Sequence, residues 1–326
     1  MKAIVNETYG SPDVLQLKEV PQPTPRPDEV LVKIIAAAAN AADWHLLRPD
    51  PFLVRLGNGF FKPKNTILGG DIAGVVEAVG PGVTMFKSGD AVYGDLSGCG
   101  MGGYAEYVSV PERYLAMKPA NISFEQAAAI PMAGITALQG LRDAGKIQAG
   151  QKVLINGASG GVGTFAVQIA KVLGAEVTAV CSTGKMEMVR SLGADHVIDY
   201  KKEDFTLGSE KYDLIVAANG YHTLGQYRRV LRPHGIYVMI GGTTAQIFQA
   251  LLLGPLVSMM GRQQFKTMVA KPNRADLDFM RALVEEGKVT PMMDRRYPLS
   301  EVAEAIRYLE TGHAQGKVVI NVATAG

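Results

Sequence analysis

The sequence predicts an α/β protein: a mostly β domain joined to a doubly wound parallel sheet with helices on both faces. Three observations predict it. The chain has 326 residues, enough for about two domains at ~150 residues each. Residues 1–122 carry short apolar runs separated by glycines, the punctuation of β structure. From Lys152 onward, apolar runs of strand length alternate with amphipathic helical segments.

The elements follow in order. Pro21, Pro23, Pro25 and Pro27 make an extended loop without ladder donors. Residues 29–35 then read as a strand, followed by Asp71–Val79, 90–94 and 104–110. Ser123 has Gln126 three residues on, a capping-box spacing that opens a helix. Val153, Leu154 and Ile155 form a buried strand. Val162, Phe165, Ala166, Ile169, Ala170 and Leu173 mark one face of the next helix, which stops at Gly174. Strands Glu176–Cys181, His196–Asp199, 214–216, 236–240 and 265–269 alternate with helices 186–192 and 223–231. Asn273 caps a helix to Glu286, Ser300 caps another to Leu309, and 317–322 is a last strand. The apolar segment 247–260 falls short of the ~20 residues that span a bilayer. It reads as a core or self-association helix broken at Gly254-Pro255, rather than as the lining of a pocket for an apolar substrate.

Composition excludes several partners. The net charge is +2 and no basic run stands out, so no nucleic acid is expected. Two cysteines, Cys99 and Cys181, cannot build a disulfide framework or a cysteine-rich zinc site. Residues 2–5 read as a strand rather than a signal-peptide core, and a cytoplasmic protein without stable membrane insertion is expected.

Two segments resemble a dinucleotide fingerprint. Residues 98–103 match G-x-G-x-x-G letter for letter, but a strand pattern follows, so no helix N-terminus would point at a phosphate. Residues 157–163 match less well, yet stand between a buried strand and an amphipathic helix. There Gly160 lets the backbone approach a pyrophosphate, Gly163 lets the helix pack on the sheet, and the N–H groups at the helix start meet the charge. Ser159, Gly160, Gly161 and Val162 are therefore expected to bind the cofactor. At the end of the following strand stand Ser182, Thr183 and Lys185, without a carboxylate for a ribose hydroxyl. Hydroxyls and a cation suit a 2′-phosphate, so NADPH is expected. A Y-x-x-x-K spacing at Tyr114 and Lys118 precedes the glycine loop and runs into Pro119, and reads as a strand end.

These residues together resemble the medium-chain dehydrogenase/reductase superfamily, in its zinc-independent quinone oxidoreductase branch. The carriers are residues 68–76, 89–94, 103–107, 133–137, 157–163, 192–195 and 316–319. The resemblance implies a GroES-like catalytic domain from 1–122 and 271–326, with a Rossmann domain at 123–270 between. It also implies a homodimer. Zinc relatives hold their metal with Cys, His and Cys; the matching positions here are Asn40, Gly70 and Ala133, so no metal is expected. The resemblance places Asn40 and Thr136 near the nicotinamide as catalytic candidates. It sets Ser182, Lys185 and Tyr200 at the adenosine phosphate, Asn219 and Gly241 along the cofactor, and Lys317 approaching it from the tail.

Without a Lewis acid, alcohol oxidation loses its usual route to an alkoxide, whereas a quinone or an enone accepts hydride directly. The expected activity is therefore NADPH-dependent reduction of quinones or α,β-unsaturated carbonyls, with Asn40 donating its amide to the developing oxyanion or to the nicotinamide. An enoyl-thioester or alcohol reductase, and a non-catalytic cofactor-binding protein of crystallin type, are the alternatives. His45 reads as a packed residue beside Trp44, and Asp43 as a cap of the short helix that follows Asn40.

Overall fold

The structure, a computed structural model, describes residues 1–242, 244–259 and 261–323. It divides into two units, residues 1–135 with 271–326 and residues 136–270.

The first unit opens with a hairpin-like pair, β1 (Lys2–Val5) and β2 (Gln16–Glu19). The long strand β3 (Glu29–Ala39) leads into the short helices α1 (Ala41–Leu47) and α2 (Val54–Asn58). Then come β4 (Asp71–Val79), β5 (Ala91–Asp95), β6 (Tyr107–Pro111), β7 (Leu115–Met117) and α3 (Phe124–Ala128). The helix α4 (Pro131–Gln139) carries the division between the units, after Ile135.

The second unit alternates strand and helix: β8 (Lys152–Asn156), α5 (Gly161–Val172), β9 (Glu176–Cys181), α6 (Met186–Ser191), β10 (His196–Asp199), β11 (Tyr212–Ala217), α7 (Leu224–Val230), β12 (Leu231–Met239), α8 (Thr244–Met259) and β13 (Gln264–Thr267). The chain then returns to the first unit as α9 (Arg274–Glu285), β14 (Met293–Pro298), α10 (Val302–Glu310) and β15 (Lys317–Asn321).

In the second unit every strand pair is parallel, in the order β10-β9-β8-β11-β12-β13. Counted from β8, that order is 3-2-1-4-5-6, the doubly wound arrangement whose switch point lies beside the first strand. Leu154, Ile215, Tyr227, Tyr237 and Phe265 pack together in its core.

The sheet of the first unit runs β14-β15-β3-β4-β5-β7, with β6 paired to β3. The returning segment is sewn into it. β15 pairs antiparallel with β3, α10 packs Val302 and Ile306 with Leu47 and Val318, and the buried Tyr93 hydroxyl donates to the Leu277 carbonyl at 2.6 Å.

Four sequence expectations meet the structure here. The stretch 123–135 belongs to the first unit, not the second. Its capping box is present, with Ser123 accepting from Gln126 N–H at 3.2 Å, but a cap fixes where a helix starts and not which core it joins. Ser300 sits inside a 3₁₀ turn, and Glu301 stands at the N-cap of α10. The apolar segment is one helix running through Pro255 to Met259, with Met260 outside the described residues, and the core reading holds for one face only, where Ala250, Ile247 and Val257 join the core. Gln246, Ala250 and Gly254 are buried, while Leu251, Leu252, Leu253 and Leu256 are exposed. The Gly-rich segment 98–103 is followed by no helix, as expected, but the strand after it begins at Tyr107 rather than at Tyr104, with Gly100 and Gly102 at positive φ.

Candidate functional site

The glycine loop is built around close approaches. Gly157 has φ +83°, and a Cβ there would meet Asn219 Cβ at 2.7 Å, so the ends of β8 and β11 touch only through glycine. At Gly163 a Cβ would lie 2.1 Å from the Gly157 carbonyl oxygen and 2.7 Å from Ala158 Cα, which seats α5 against its strand. At Gly160 the nearest atom would be the Gly157 oxygen at 3.7 Å. Gly160 is the N-cap of α5 and supplies no capping side chain, so the first N–H groups of a 12-residue helix are left for another acceptor. A dinucleotide pyrophosphate fits this cradle in both charge and room. Ser159 is buried beside it.

The other expected cofactor residues of the second unit stand at the carboxyl ends of the same strands. Ser182 and Lys185 follow β9, Tyr200 follows β10, Asn219 follows β11 and Gly241 follows β12. Tyr200 is exposed. A carboxylate that sequence reading missed comes with them. Asp199 pairs in register with Cys181, so the end of β10 brings it to the end of β9. It accepts from the Thr183 hydroxyl at 2.5 Å and from Lys201 N–H at 3.0 Å. The Thr183 bond first, then Lys201 and Lys202, hold its carboxyl below the usual range. The sequence signal is its position at the end of β10, the strand that follows β9.

The first unit holds a buried polar cluster, and sheet register assembles it. Ala39 pairs with Val318, Ala38 with Asp71, and Asp71 with Asp95. Asn40, Asp71, Asp95 and Lys317 therefore stand at one end of four neighbouring strands, each of them buried. Lys317 Nζ donates to Asp71 Oδ2 at 2.9 Å and to Asn40 Oδ1. Asn40 Nδ2 donates to Asp71 Oδ2 at 3.0 Å and to the Ala38 carbonyl at 3.2 Å. The second oxygen of Asp71 accepts from Met132 N–H at 2.8 Å. Thr136 lies one turn further along the same helix as Met132 and is buried, but belongs to the second unit. Asp95 Oδ1 accepts from Ser97 N–H at 2.9 Å, while its Oδ2 has no partner among the described residues. Burial, then the neighbouring Asp71, pushes the Asp95 carboxyl up to about 7. Sequence reading passed over both aspartates.

Asp43 braces this end of the sheet. It accepts from Asn40 N–H at 2.7 Å, Tyr104 OH at 2.9 Å and Gly69 N–H at 3.0 Å, and burial pushes it up to about 6. It caps from the third helical position, and Asn40 is the N-cap. His45 stacks on Trp44 with ring centroids 3.6 Å apart and bonds the Asp50 carbonyl, a packed residue as expected.

The expected oxyanion role of Asn40 needs correction. An amide carries two N–H donors, and both are already engaged.

Zinc does not fit the positions where relatives bind it. Asn40 and Ala133 are poor or impossible ligands, and a Cβ at Gly70 would meet Met132 Cε at 2.5 Å. Among the described residues, no group of three or more His, Cys, Asp or Glu is placed to hold a metal. A cavity of about 690 Å³ between Ile35, Phe124 and Asn321 lies beside the middle of β3, where Asn321 pairs with Ala36, and none of its lining residues belongs to the polar cluster. Among the described residues, no helix is long and apolar enough to cross a membrane.

Comparison with known proteins agrees with both halves of this description. Residues 26–120 match the alcohol dehydrogenase GroES-like domain, and residues 192–320 match a family described as zinc-binding dehydrogenase. The second match contains none of the three zinc-ligand positions. The chain is 40% identical to a 2-methylene-furan-3-one reductase of Solanum lycopersicum, over 98% of this chain and 79% of that protein. It is 38% identical, with the same coverage, to an NADPH-dependent alkenal/one oxidoreductase, chloroplastic, of Arabidopsis thaliana. Among solved structures it resembles the quinone oxidoreductase from Coxiella burnetii, with a TM-score of 0.88, 33% identity and 99% of each chain covered.

Proposed function

Because the chain belongs to the zinc-independent quinone oxidoreductase branch of the medium-chain dehydrogenase/reductase superfamily, we propose that NADPH is its reductant. The chain is an oxidoreductase that passes hydride to quinones or α,β-unsaturated carbonyls. The observation that carries the cofactor half is the cradle at Gly160, open above a helix start that no side chain caps. When bound, the reduced nicotinamide supplies two electrons and a proton together as hydride.

The residues of this chain do the rest. The N–H groups at the start of α5 hold the pyrophosphate, and Asn219 and Gly241 line its path. Ser182, Lys185 and Tyr200 recognise the 2′-phosphate. The exposed end of β9 supports NADPH because the carboxylate that β10 brings to it, Asp199, already accepts from Thr183 and Lys201. NADH is the competing cofactor, favoured only if Asp199 turns to a ribose hydroxyl. Asn40, Thr136 and Lys317 serve the reacting end. Without a metal, positioning supplies most of the acceleration. A homodimer is part of the same reading and is tested by sedimentation.

Steady-state oxidation of NADPH with 1,4-benzoquinone, 9,10-phenanthrenequinone and an alkenal tests the proposal. Turnover with at least one acceptor is expected. Tight NADPH binding with no enzyme-dependent oxidation of any acceptor refutes it in favour of a non-catalytic cofactor-binding protein.

A further inference from the structure

We propose that Lys317, not Asn40, meets the negative charge that develops on the acceptor oxygen, and that Asn40 and Asp71 are positioning residues that aim it. The inference rests on the reductase reading above.

The donor hydrogens of the two residues distinguish them. Asn40 has spent both amide hydrogens, on Asp71 and Ala38. An ammonium carries three N–H donors. Lys317 gives one to Asn40 Oδ1 and one to Asp71 Oδ2. The third has no acceptor among the described residues. Of the donors on Asn40 and Lys317, this is the one left over, and it carries a full charge.

The cost of the arrangement supports a functional reading. Lys317 and Asp71 are 3% and 0% exposed at their side chains. A buried ion pair commonly repays its desolvation poorly, and apolar residues of similar volume often serve stability as well or better. β15 is otherwise apolar where it is buried, through Val318, Val319 and Ile320, so a lysine at its start is costly for packing alone. The pair instead fixes the direction of a cation. Asp71 is itself held by Met132 N–H, and Asn40 by Ala38 and by Asp43, so neither partner is free to swing. Asp95 stands beside the pair with an unpartnered Oδ2. Below about pH 7 it takes a proton, so the pair faces a neutral neighbour rather than a second carboxylate. Cys99, next to Asp95, stays a thiol because burial pushes it up to about 12.

In the step itself, hydride from the reduced dinucleotide forms a C–H bond at the β-carbon of an enone. The C=C electron pair moves into the adjoining C–C bond, and the C=O pair moves onto oxygen. Lys317 hydrogen-bonds that oxygen. Water then delivers a proton to the α-carbon and leaves as hydroxide to solvent, and the enolate oxygen returns to carbonyl.

The test compares wild-type protein with Asn40→Ala, Lys317→Gln and the double variant Lys317→Met with Asp71→Asn, which removes both buried charges together. Turnover of an alkenal, NADPH affinity by fluorescence, thermal melting and binding of 4-nitrophenolate, a stable oxyanion, are measured on each. The double variant should fold and bind NADPH within about threefold of wild type, yet lose about 10²–10³ in kcat, as expected for one oxyanion donor. Lys317→Gln keeps two N–H donors without the charge. It should also fall in kcat, and it carries the test should the double variant not fold. Asn40→Ala should lose less than either, since the cation remains. Phenolate binding should weaken at least tenfold in both Lys317 variants. A kcat within threefold of wild type in a folded Lys317 variant overturns the inference. So does a loss confined to NADPH affinity, or phenolate binding that ignores Lys317. Failure of wild-type protein to turn over any acceptor is a different result: it removes the reductase reading and this inference with it.

Discussion

Two glycines three residues apart in the cofactor loop should separate folding from binding. Alanine at Gly163 would put Cβ 2.1 Å from the Gly157 carbonyl oxygen, against about 3.3 Å for an ordinary carbon–oxygen contact. The helix or the loop must yield by about 1.2 Å, and both colliding partners are backbone. Overpacking of this kind costs about 1–3 kcal/mol. A fall of several degrees in Tm is expected. Gly160→Ala is different. Its backbone is extended, at φ −84° and ψ 179°, a conformation any residue adopts, and the new Cβ stays 3.7 Å from its nearest neighbour. Losing a glycine at an N-cap and stiffening the unfolded chain offset one another, so stability should stay within about 1 kcal/mol. The methyl group would nevertheless stand where phosphate must approach. Disturbing a charged hydrogen bond there costs about 1.5–3 kcal/mol, roughly 10- to 100-fold in dinucleotide affinity. Calorimetric melting and fluorescence titration with NADPH read the two effects separately. NADPH binding by Gly160→Ala within twofold of wild type would refute the cradle and leave a tight turn. An unchanged Tm in Gly163→Ala would refute the steric argument.

Three further outcomes follow from the same structure. Metal analysis should find far less than one zinc per chain and turnover indifferent to chelators, given Asn40, Gly70 and Ala133; about one zinc lost together with activity contradicts this. Lys185→Ala should weaken NADPH by about one to two powers of ten while leaving NADH nearly unchanged, measured as two dissociation constants, and equal weakening rules out a 2′-phosphate contact. Asp95 holds its proton more tightly folded, up to about 7, than unfolded, near 4, so its contribution is complete below about pH 4 and is lost as pH rises toward 7, by up to about 1.4 kcal/mol per pH unit. Asp95→Asn, which cannot ionise, should therefore gain on wild type in urea unfolding between pH 5 and pH 8, and a constant difference across that range contradicts the sign.

How much of this was legible in the sequence depends on the range of the interaction that decides each feature. The second unit was readable almost strand by strand, because apolar periodicity and glycine stops are local. Glu176–Cys181 and His196–Asp199 fall where periodicity places them. The fate of residues 123–135 was not readable, because Ser123 and Gln126 encode a helix start and nothing about its packing partner. The exposure of Leu251, Leu252 and Leu256 was missed for a related reason: a run apolar on every side has no periodicity to say which side faces out. The polar cluster is the sharper case. Each member was visible alone as a polar residue at the end of an apolar strand. Ala36 to Ala39 run into Asn40, Val92 and Tyr93 run to Asp95, and Lys317 and Asp71 each start a strand of buried aliphatics. What sequence cannot give is the register that joins Ala38 to Asp71, Asp71 to Asp95 and Ala39 to Val318, since pairings so distant along the chain are fixed by the whole sheet. A charge at the terminus of a fully apolar strand is costly unless a partner waits on the neighbouring strand. Three such termini, with the neutral amide of Asn40 at a fourth, form a set of polar groups that must satisfy one another, and the residue order alone is enough to reveal that such a set exists.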